Sequence, residues 1–429
     1  MMLQSAYALV DLIFVRQLGE KAVAGLSISF QAFFLILAIG QVVATTALAE
    51  ISQHYGAKEF DRARGAFSTF SAVAVGLGLA AVVVAYLSAK SYVSTFTDDP
   101  DVLVLGTSYF EINSLTFLLQ LLLIVFGNGL RASGDFATPM KLMAMSVLTN
   151  AVLDPLLIFG IGPFPEMGLD GAAWATVFAQ LQTLTLYLIR FSRPRGGNDL
   201  YWTRPNWNAQ IWWHLASRGL PAGAQFFLVS VVLGLVLGAV KSEGAAWTAA
   251  AGGGFRVLQQ LFLPLVALAS AASAIAGQNL GARNFDRVRT VAKTGLTWGL
   301  AYAITISSLV FWQSDRLGLV FAKGEDELAV AAIWFQWSAP QLLGFAATYV
   351  PTFVLQAAGR AILPMCSAIA RATALAAAIF ILIPNVEWPA EAVFGAATIT
   401  QLLEGAFDVV LLFVFLSSLG NSRNKAERT

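Results

Sequence analysis

Ser52-Gln-His-Tyr-Gly-Ala-Lys-Glu-Phe-Asp-Arg62 returns further along the chain as Gly277-Gln-Asn-Leu-Gly-Ala-Arg-Asn-Phe-Asp-Arg287, with the glutamine, the Gly-Ala pair, a basic residue and Phe-Asp-Arg in register. Gln53 and Gln278 are 225 residues apart (278 − 53). At the same shift Gly134, Pro139 and Met140 reappear as Gly359, Pro364 and Met365, and Ser5, Gly19 and Phe30 fall on Ser230, Gly244 and Phe255. A shift held without a gap over such distances is the trace of one ancestral unit used twice, in the same order.

The units are made of lipid-compatible material. The chain is 57% hydrophobic and 12% charged, with a mean hydropathy of +0.70, against roughly 25% charged residues in soluble domains. Apolar runs of about 20 residues or more, enough to cross a bilayer as helix, fall at 22–51, 66–89, 102–128, 138–161, 170–191, 213–240, 245–278, 290–313, 327–356, 362–384 and 390–419. A shorter run at 1–15 makes twelve, six per unit. The expected fold is an all-α polytopic membrane protein of twelve transmembrane helices in two pseudo-symmetric six-helix lobes. The N-terminal lobe covers 1–192, a cytoplasmic linker 193–210, the C-terminal lobe 211–420 and a cytoplasmic tail 421–429.

A net charge of +1 excludes nucleic acid as a partner, because a polyanion needs a basic face. Basic residues crowd the loops on one side, among them Lys58, Arg62, Arg64, Arg131, Arg190 and Arg195, then Arg283, Arg287, Arg289 and Arg360. Acids such as Asp98, Asp99, Asp101, Glu325, Asp326 and Glu327 crowd the other. The positive-inside rule then puts both termini in the cytoplasm, in a multi-pass protein of the cell (inner) membrane. Cys366 is the one cysteine, so the chain makes no internal disulfide and no thiolate metal cluster. The linker, with Pro194, Gly196, Gly197 and Pro205, sets Trp202, Trp207, Trp212 and Trp213 at headgroup level.

The first run is too short. Fifteen residues of helix rise about 22 Å, and the partners of Arg218 to Gln225 would lie before Met1. The expectation is a sequence that starts late, through a misplaced start codon or a truncation; a cleaved signal peptide lacks the basic n-region and small-residue cleavage site. The repeated signature itself reads as topological: a helix end, a tight turn at Gly56 and an Asp-Arg local ion pair.

Charges inside apolar spans are costly and are kept for a reason. Here they are Asp11, Glu50, Glu111, Asp154, Arg256, Arg371, Glu404 and Asp408. Asp11 precedes the turn at Gly19 by about as far as Asp154 precedes Gly160-Ile-Gly-Pro163, so both carboxylates sit at one depth, roughly 10 Å below the surface. Asn150 projects from the face of Asp154 one turn away, and Pro155 loosens the carbonyl ladder beside it. A carboxyl, an amide and loosened carbonyls can hold a proton or a small hard cation, Na+ included. The 225-residue shift turns Asp11, Asn150 and Asp154 into Val236, Leu375 and Ile379, so this group belongs to one unit and is not shared scaffold. The competing reading pairs Asp11 with Arg16 or Lys21 and satisfies Asp154 with Asn150.

Glu404 and Asp408, four apart on the last helix, offer either a second cation site or a partner for Arg371. Gln31, Glu111, Arg256 and Gln260 are candidates for a substrate cavity, with Glu111 near the carboxylate pair and Glu50 interfacial. Intramembrane glutamines such as Gln120, Gln180, Gln225 and Gln356 point to a wet cavity, and Pro264, Pro340 and Pro351 to bends.

Val10-Asp-Leu-Ile-Phe-Val-Arg-Gln-Leu-Gly19, the paired Gln-x-x-Gly-Ala and Phe-Asp-Arg signatures, Leu130-Arg-Ala-Ser-Gly134 with Pro139-Met140, and Asn150-Ala-Val-Leu-Asp-Pro155 together resemble the multidrug and toxic compound extrusion (MATE) family, in its DinF-like branch. The resemblance covers the whole chain. It implies a V-shaped pair of lobes and a secondary active antiporter, which exports cationic, lipophilic or amphiphilic organic compounds in exchange for H+ or Na+ by rocking alternating access. It also implies an amino-lobe cation site at Asp11 and Asp154 with Asn150 beside them. The family's helix 1 proline has its place before Met1, and the acids that other branches use in the second lobe have no match at Arg256 or Arg360, which favours amino-lobe coupling. The protein is expected to be a monomer and no enzyme, with no cofactor beyond the H+ or Na+ gradient.

The alternative is a flippase for a lipid-linked saccharide or related lipid-like substrate. Its pyrophosphate would want a strongly cationic cavity, and only Arg256 and Arg371 lie within the spans. An intramembrane aspartyl protease lacks its Gly-x-Gly-Asp context, and a membrane zinc enzyme lacks His-Glu-x-x-His, His54 and His214 lying in or near loops.

Overall fold

The structure is a computed structural model, and it describes residue 11 and residues 13–192, 196, 199–322, 324–386 and 388–426; of these, the side chains at 30, 31, 33–35, 384, 385 and 420–426 are left aside. The described residues are helical with no strand. The chain divides into two compact units, Met1–Gly219 and Leu220–Thr429.

In the first unit a helical turn bearing Asp11 and a 3-10 turn at Arg16–Leu18 lead into α1 (Glu20–Gly56), α2 (Phe60–Ser94), α3 (Pro100–Ala132), α4 (Ala137–Ile158) and α5 (Leu169–Ser192). Then come α6 (Ala209–His214) and a π-helical turn at Leu215–Gly219. The second unit holds α7 (Leu220–Val240), α8 (Ala245–Gly281), α9 (Phe285–Trp312), α10 (Ser314–Leu317), α11 (Glu325–Ser338), α12 (Gln341–Ala357), α13 (Ile362–Ala377), α14 (Ile383–Val386) and α15 (Ala392–Ala426). Moved by 225, the bounds of α1 become those of α8, and Phe60 and Ala137 become the first residues of α9 and α13. The packing repeats as well: α3 touches α1, α2 and α5 in the first unit, and α12 touches α8, α9 and α15 in the second.

Ten helices among the described residues are long and apolar enough to cross a membrane. Of the expected twelve, the run at 1–15 lies mostly outside the described residues, and the run at 327–356 divides into α11 and α12 at Ala339 and Pro340. Pro340 stands where the first unit has Leu115, inside the unbroken α3; a proline ring removes a donor and clashes with the preceding turn. Pro264 and Pro351 lie inside continuous helices instead. The π-helical turn packs on α1 in the first unit, so residues 211–219, assigned by the sequence to the second lobe, cluster with the first.

The signature turns differently from its reading. Gly56 is the last helical residue, and the left-handed residue is Lys58 (φ 61°), matched by Arg283 (φ 55°). Glu59 N–H donates to the His54 carbonyl at 2.9 Å and Lys58 N–H to that of Tyr55 at 3.1 Å; Asn284 and Arg283 repeat the pattern onto Asn279 (2.8 Å) and Leu280 (3.0 Å). This is a Schellman cap, whose left-handed position usually takes glycine. The ion pairs are also shifted. Asp61 holds Arg64 at 2.8 Å, as Asp286 holds Arg289 at 3.1 Å, while Arg62 turns to Glu59 at 2.9 Å. The hydrogen bond from His54 and then the neighbouring Arg62 hold the Glu59 carboxyl below the usual range.

Arg64 also donates from Nε to the Asp199 carbonyl at 3.0 Å and lies over the Tyr201 ring at 4.2 Å. Trp202 caps an aromatic cluster, with its ring 5.2 Å from Phe191 and 5.5 Å from Phe126. Trp207 and Trp212 are exposed and stack at 6.1 Å.

Close approaches set the helix spacing. A Cβ on Gly171 would lie 2.6 Å from the backbone of Leu157, where α5 crosses α4, whereas Gly65 faces open space. Gly171→Ala should therefore lower unfolding stability in detergent by about 1–3 kcal/mol, and Gly65→Ala should raise it by about 0.5–1 kcal/mol; a thermal-melt comparison reads both. By the same logic Lys58→Gly and Arg283→Gly should each add about 1 kcal/mol, because an L side chain in the left-handed region is strained.

Candidate functional site

The hairpin between α4 and α5 positions the site. Gly160, Gly162 and Gly168 carry positive φ, and the returning strand of chain is pinned to the end of α4 by Met167 N–H to the Leu157 carbonyl (3.0 Å) and Gly168 N–H to that of Ile158 (3.1 Å). α4 runs through Pro155 to Ile158 without breaking. With Pro155 in place the Ala151 carbonyl loses its intrahelical donor. The near-contact at Gly171 then lets α4 reach α5.

Asp11, Asn150 and Asp154 come together, all buried. Asn150 Nδ2 donates to Asp154 Oδ1 at 3.2 Å and to Thr176 Oγ1 on α5 at 3.3 Å; the Thr176 hydroxyl donates onward to the Ala172 carbonyl at 3.2 Å. The Asp11 carboxyl faces both Asp154 and Asn150 within hydrogen-bonding reach. Three oxygens in this group, Asp11 Oδ1, Asn150 Oδ1 and Asp154 Oδ2, are buried with no donor among the described residues. The site is thus rich in acceptors and poor in donors. Burying carboxylates this way costs several kcal/mol unless positive charge joins them.

An apolar wall closes one side: Val15, Ala22, Tyr109, Ile158, Leu169, Ala172 and Ala173 form a buried cluster, with Phe14 and Phe159 edge-to-face at 6.4 Å. Neither basic residue near Asp11 serves it. Lys21 pairs with Asp99 and Asp101, and Arg16 is exposed.

Two residues of the site were missed in the sequence. Tyr109 on α3 is buried facing both carboxylates, whereas Glu111, expected near them, is half-exposed with no ion pair among the described residues. Two residues along a helix turn the side chain by about 200°, so one phase excludes the other. Thr176 was legible only as a small polar residue in an apolar run.

The other candidates scatter. Arg256 and Gln260 are exposed on α8, and the Gln31 side chain lies outside what is described. Glu50 is not a lone interfacial acid: Arg218 Nη1 donates to it at 2.8 Å and His214 Nδ1 lies 3.0 Å away. Glu404 pairs with Arg371 at 3.5 Å, and Asp408 is buried one turn on. Where the second unit should mirror the first site it has hydrophobic core: Val236, Leu375 and Ile379 are buried in one cluster.

The MatE family profile matches residues 1–156 and 221–383. The chain belongs to the MatE family. Among MatE relatives, the probable multidrug resistance protein YoeA of Bacillus subtilis is 28% identical over 77% of this chain and 72% of its own length. A FAD transporter of Shewanella oneidensis is 28% identical over 71% of this chain and 67% of its own length. Of solved structures, an outward-facing multidrug resistance MATE family transporter of the MOP superfamily superposes with a TM-score of 0.89 at 17% identity, covering 98% of this chain and 93% of that one. This MatE chain is accordingly a multi-pass membrane transporter and not an enzyme, and nothing among these relatives favours the flippase reading.

Within this MatE site, Thr176→Val removes an acceptor of the Asn150 amide without changing shape. It should cost about 1 kcal/mol of stability, while Glu111→Gln should leave stability unchanged; detergent unfolding of the two variants checks the assignment.

Proposed function

We propose that this transporter is a secondary antiporter that expels cationic or lipophilic organic compounds in exchange for H+ or Na+, with Asp11, Asp154 and Asn150 as its coupling site. The observation that carries the reading is the set of three buried oxygens without donors at that site. Two carboxylates within reach of one another are not stable together as bare anions. A proton shared between them, or a small cation held by Asp11 Oδ1, Asp154 Oδ2 and Asn150 Oδ1, supplies the missing positive charge. Loss of that charge restores a negative site that attracts a cationic compound, so the two positive species exclude one another and exchange follows without a covalent step. Asn150 orients Asp154 and is itself oriented by Thr176. The apolar wall beside Val15 and Ile158 keeps water from competing for the carboxylates.

The bias of basic residues places both termini in the cytoplasm and the chain in the cell membrane, and we read it as a monomer. The relative named for FAD makes that dinucleotide a necessary control substrate beside the cationic dyes.

Reconstituted in liposomes, the wild type should drive dye uptake or release under an imposed proton or sodium gradient, and the ion that drives it identifies the coupling. Asp11→Asn and Asp154→Asn should each lower gradient-driven transport at least about tenfold, the loss of roughly 1.4 kcal/mol of coupling, while the protein stays folded and inserted. Full transport in either variant contradicts the assignment.

A further inference from the structure

The second unit buries a charged cluster at a place where the first unit has only neutral side chains. Arg371 on α13 donates from Nη1 to Glu404 Oε2 on α15 at 3.5 Å, and Gln401 Nε2 reaches the same oxygen at 3.3 Å. One turn beyond Glu404, Asp408 is fully buried and accepts a 2.7 Å hydrogen bond from the Ser367 hydroxyl at Oδ1. Moved back by 225, Arg371 and Glu404 become Ser146 and Ala179, which are joined by a neutral hydrogen bond of 2.9 Å from Ser146 Oγ to the Ala179 carbonyl. Asp408 and Ser367 become Thr183 and Leu142. The helix pair packs in the first unit without any of these charges, so the fold does not require them.

Counting charge shows what the cluster lacks. Arg371 and Glu404 cancel, and Asp408 adds one negative charge that no basic side chain answers. The hydrogen bonds point to the same oxygen: Asp408 Oδ2 is a buried acceptor without a donor among the described residues, as is Gln401 Oε1, while the Thr352 hydroxyl and Arg371 Nε are also without partners there. The groups facing the cluster are Glu404 and Ser367 beside Asp408 and Tyr349 beside Arg371 and Glu404. Gly344 and Gly405 let α12 and α15 approach closely, each placing a would-be Cβ 2.8 Å from a backbone oxygen of the other helix, and Thr348 bonds to Gln401 at 3.2 Å. Thr352 lies one turn further along α12, on the same face.

We infer that Asp408, held by Ser367, is a second and independent site for a single positive charge, a proton or a small monovalent cation, with Arg371 and Glu404 as a fixed neutral pair beside it. Buried charge without a partner is unstable in such surroundings, and an occupant that brings a proton or a cation meets the charge deficit and engages the vacant Asp408 Oδ2 together. Glu404 is thereby removed from the site: its carboxylate is already engaged twice.

Infrared difference spectroscopy on purified full-length protein tests this without reference to transport. It is run in the Asp11→Asn background, so that a failure of the first-unit assignment does not bear on it. Spectra taken across a pH titration should contain a carboxylic-acid C=O band that grows on acidification and is lost in Asp408→Asn. If sodium is the occupant, adding Na+ at constant pH should diminish the band, where K+ or choline does not; if the proton alone is, Na+ should leave it unchanged. Ser367→Ala, which removes one hydrogen bond and no charge, should move the band's frequency while keeping it, and serves where Asp408→Asn fails to fold. If no C=O band is lost in Asp408→Asn and none shifts in Ser367→Ala, or if the band that Asp408→Asn removes does not respond to pH or Na+, the inference is overturned.

Discussion

Three oxygens with no donor among the described residues govern the first unit: Asp11 Oδ1, Asn150 Oδ1 and Asp154 Oδ2, all buried. In a low-dielectric interior an unanswered acceptor costs free energy comparable to a lost hydrogen bond, and an unanswered carboxylate costs more. The arrangement around them is built to keep them so. Gly171 brings α5 against the Leu157 backbone, Thr176 consumes one of the Asn150 donors, and the glycine-rich hairpin after α4 folds an apolar wall over one side. Lys21, one of the two candidate counter-ions near Asp11 in sequence, is drawn off by Asp99 and Asp101.

Duplication makes this group informative. The bounds of α1, the starts of α2 and α4, the left-handed caps at Lys58 and Arg283, and the ion pairs of Asp61 with Arg64 and Asp286 with Arg289 all survive the 225-residue shift. These are features any such unit needs in order to fold. The buried charges do not survive it. The carboxylates of the first unit give way to Val236 and Ile379, and Asn150 beside them to Leu375, all in packed core, and the Arg371, Glu404 and Asp408 cluster of the second gives way to Ser146, Ala179 and Thr183. A scaffold that folds with either chemistry at each position does not need the charges for its packing.

The duplication, the helical membrane class and most span positions were legible because period and hydropathy are written in the residues themselves. So was the meeting of Asp11 with Asn150 and Asp154, since depth along a helix and the four-residue spacing are local properties. What was not legible depends on helix phase and tertiary approach. Tyr109 rather than Glu111 faces the carboxylates because α3 is rotated that way against α1 and α5, and no pattern in an apolar run announces its rotation. Gly56 looked like the turn residue because glycine usually takes the left-handed position, yet Lys58 and Arg283 hold it, under Schellman hydrogen bonds that sequence does not display. Nor does sequence display the aromatic cluster of Phe67, Phe126 and Phe191 that Trp202 caps.

The most direct test of the central claim counts cations displaced at the first-unit site. In weakly buffered detergent solution, adding a saturating cationic substrate to purified protein should release about one proton, or one Na+ from the sodium-loaded form, because mutually exclusive binding of two positive species must be reciprocal. Asp154→Asn should release none at the same ligand occupancy. Equal release from wild type and variant, or substrate binding that displaces no cation from either, would contradict the account.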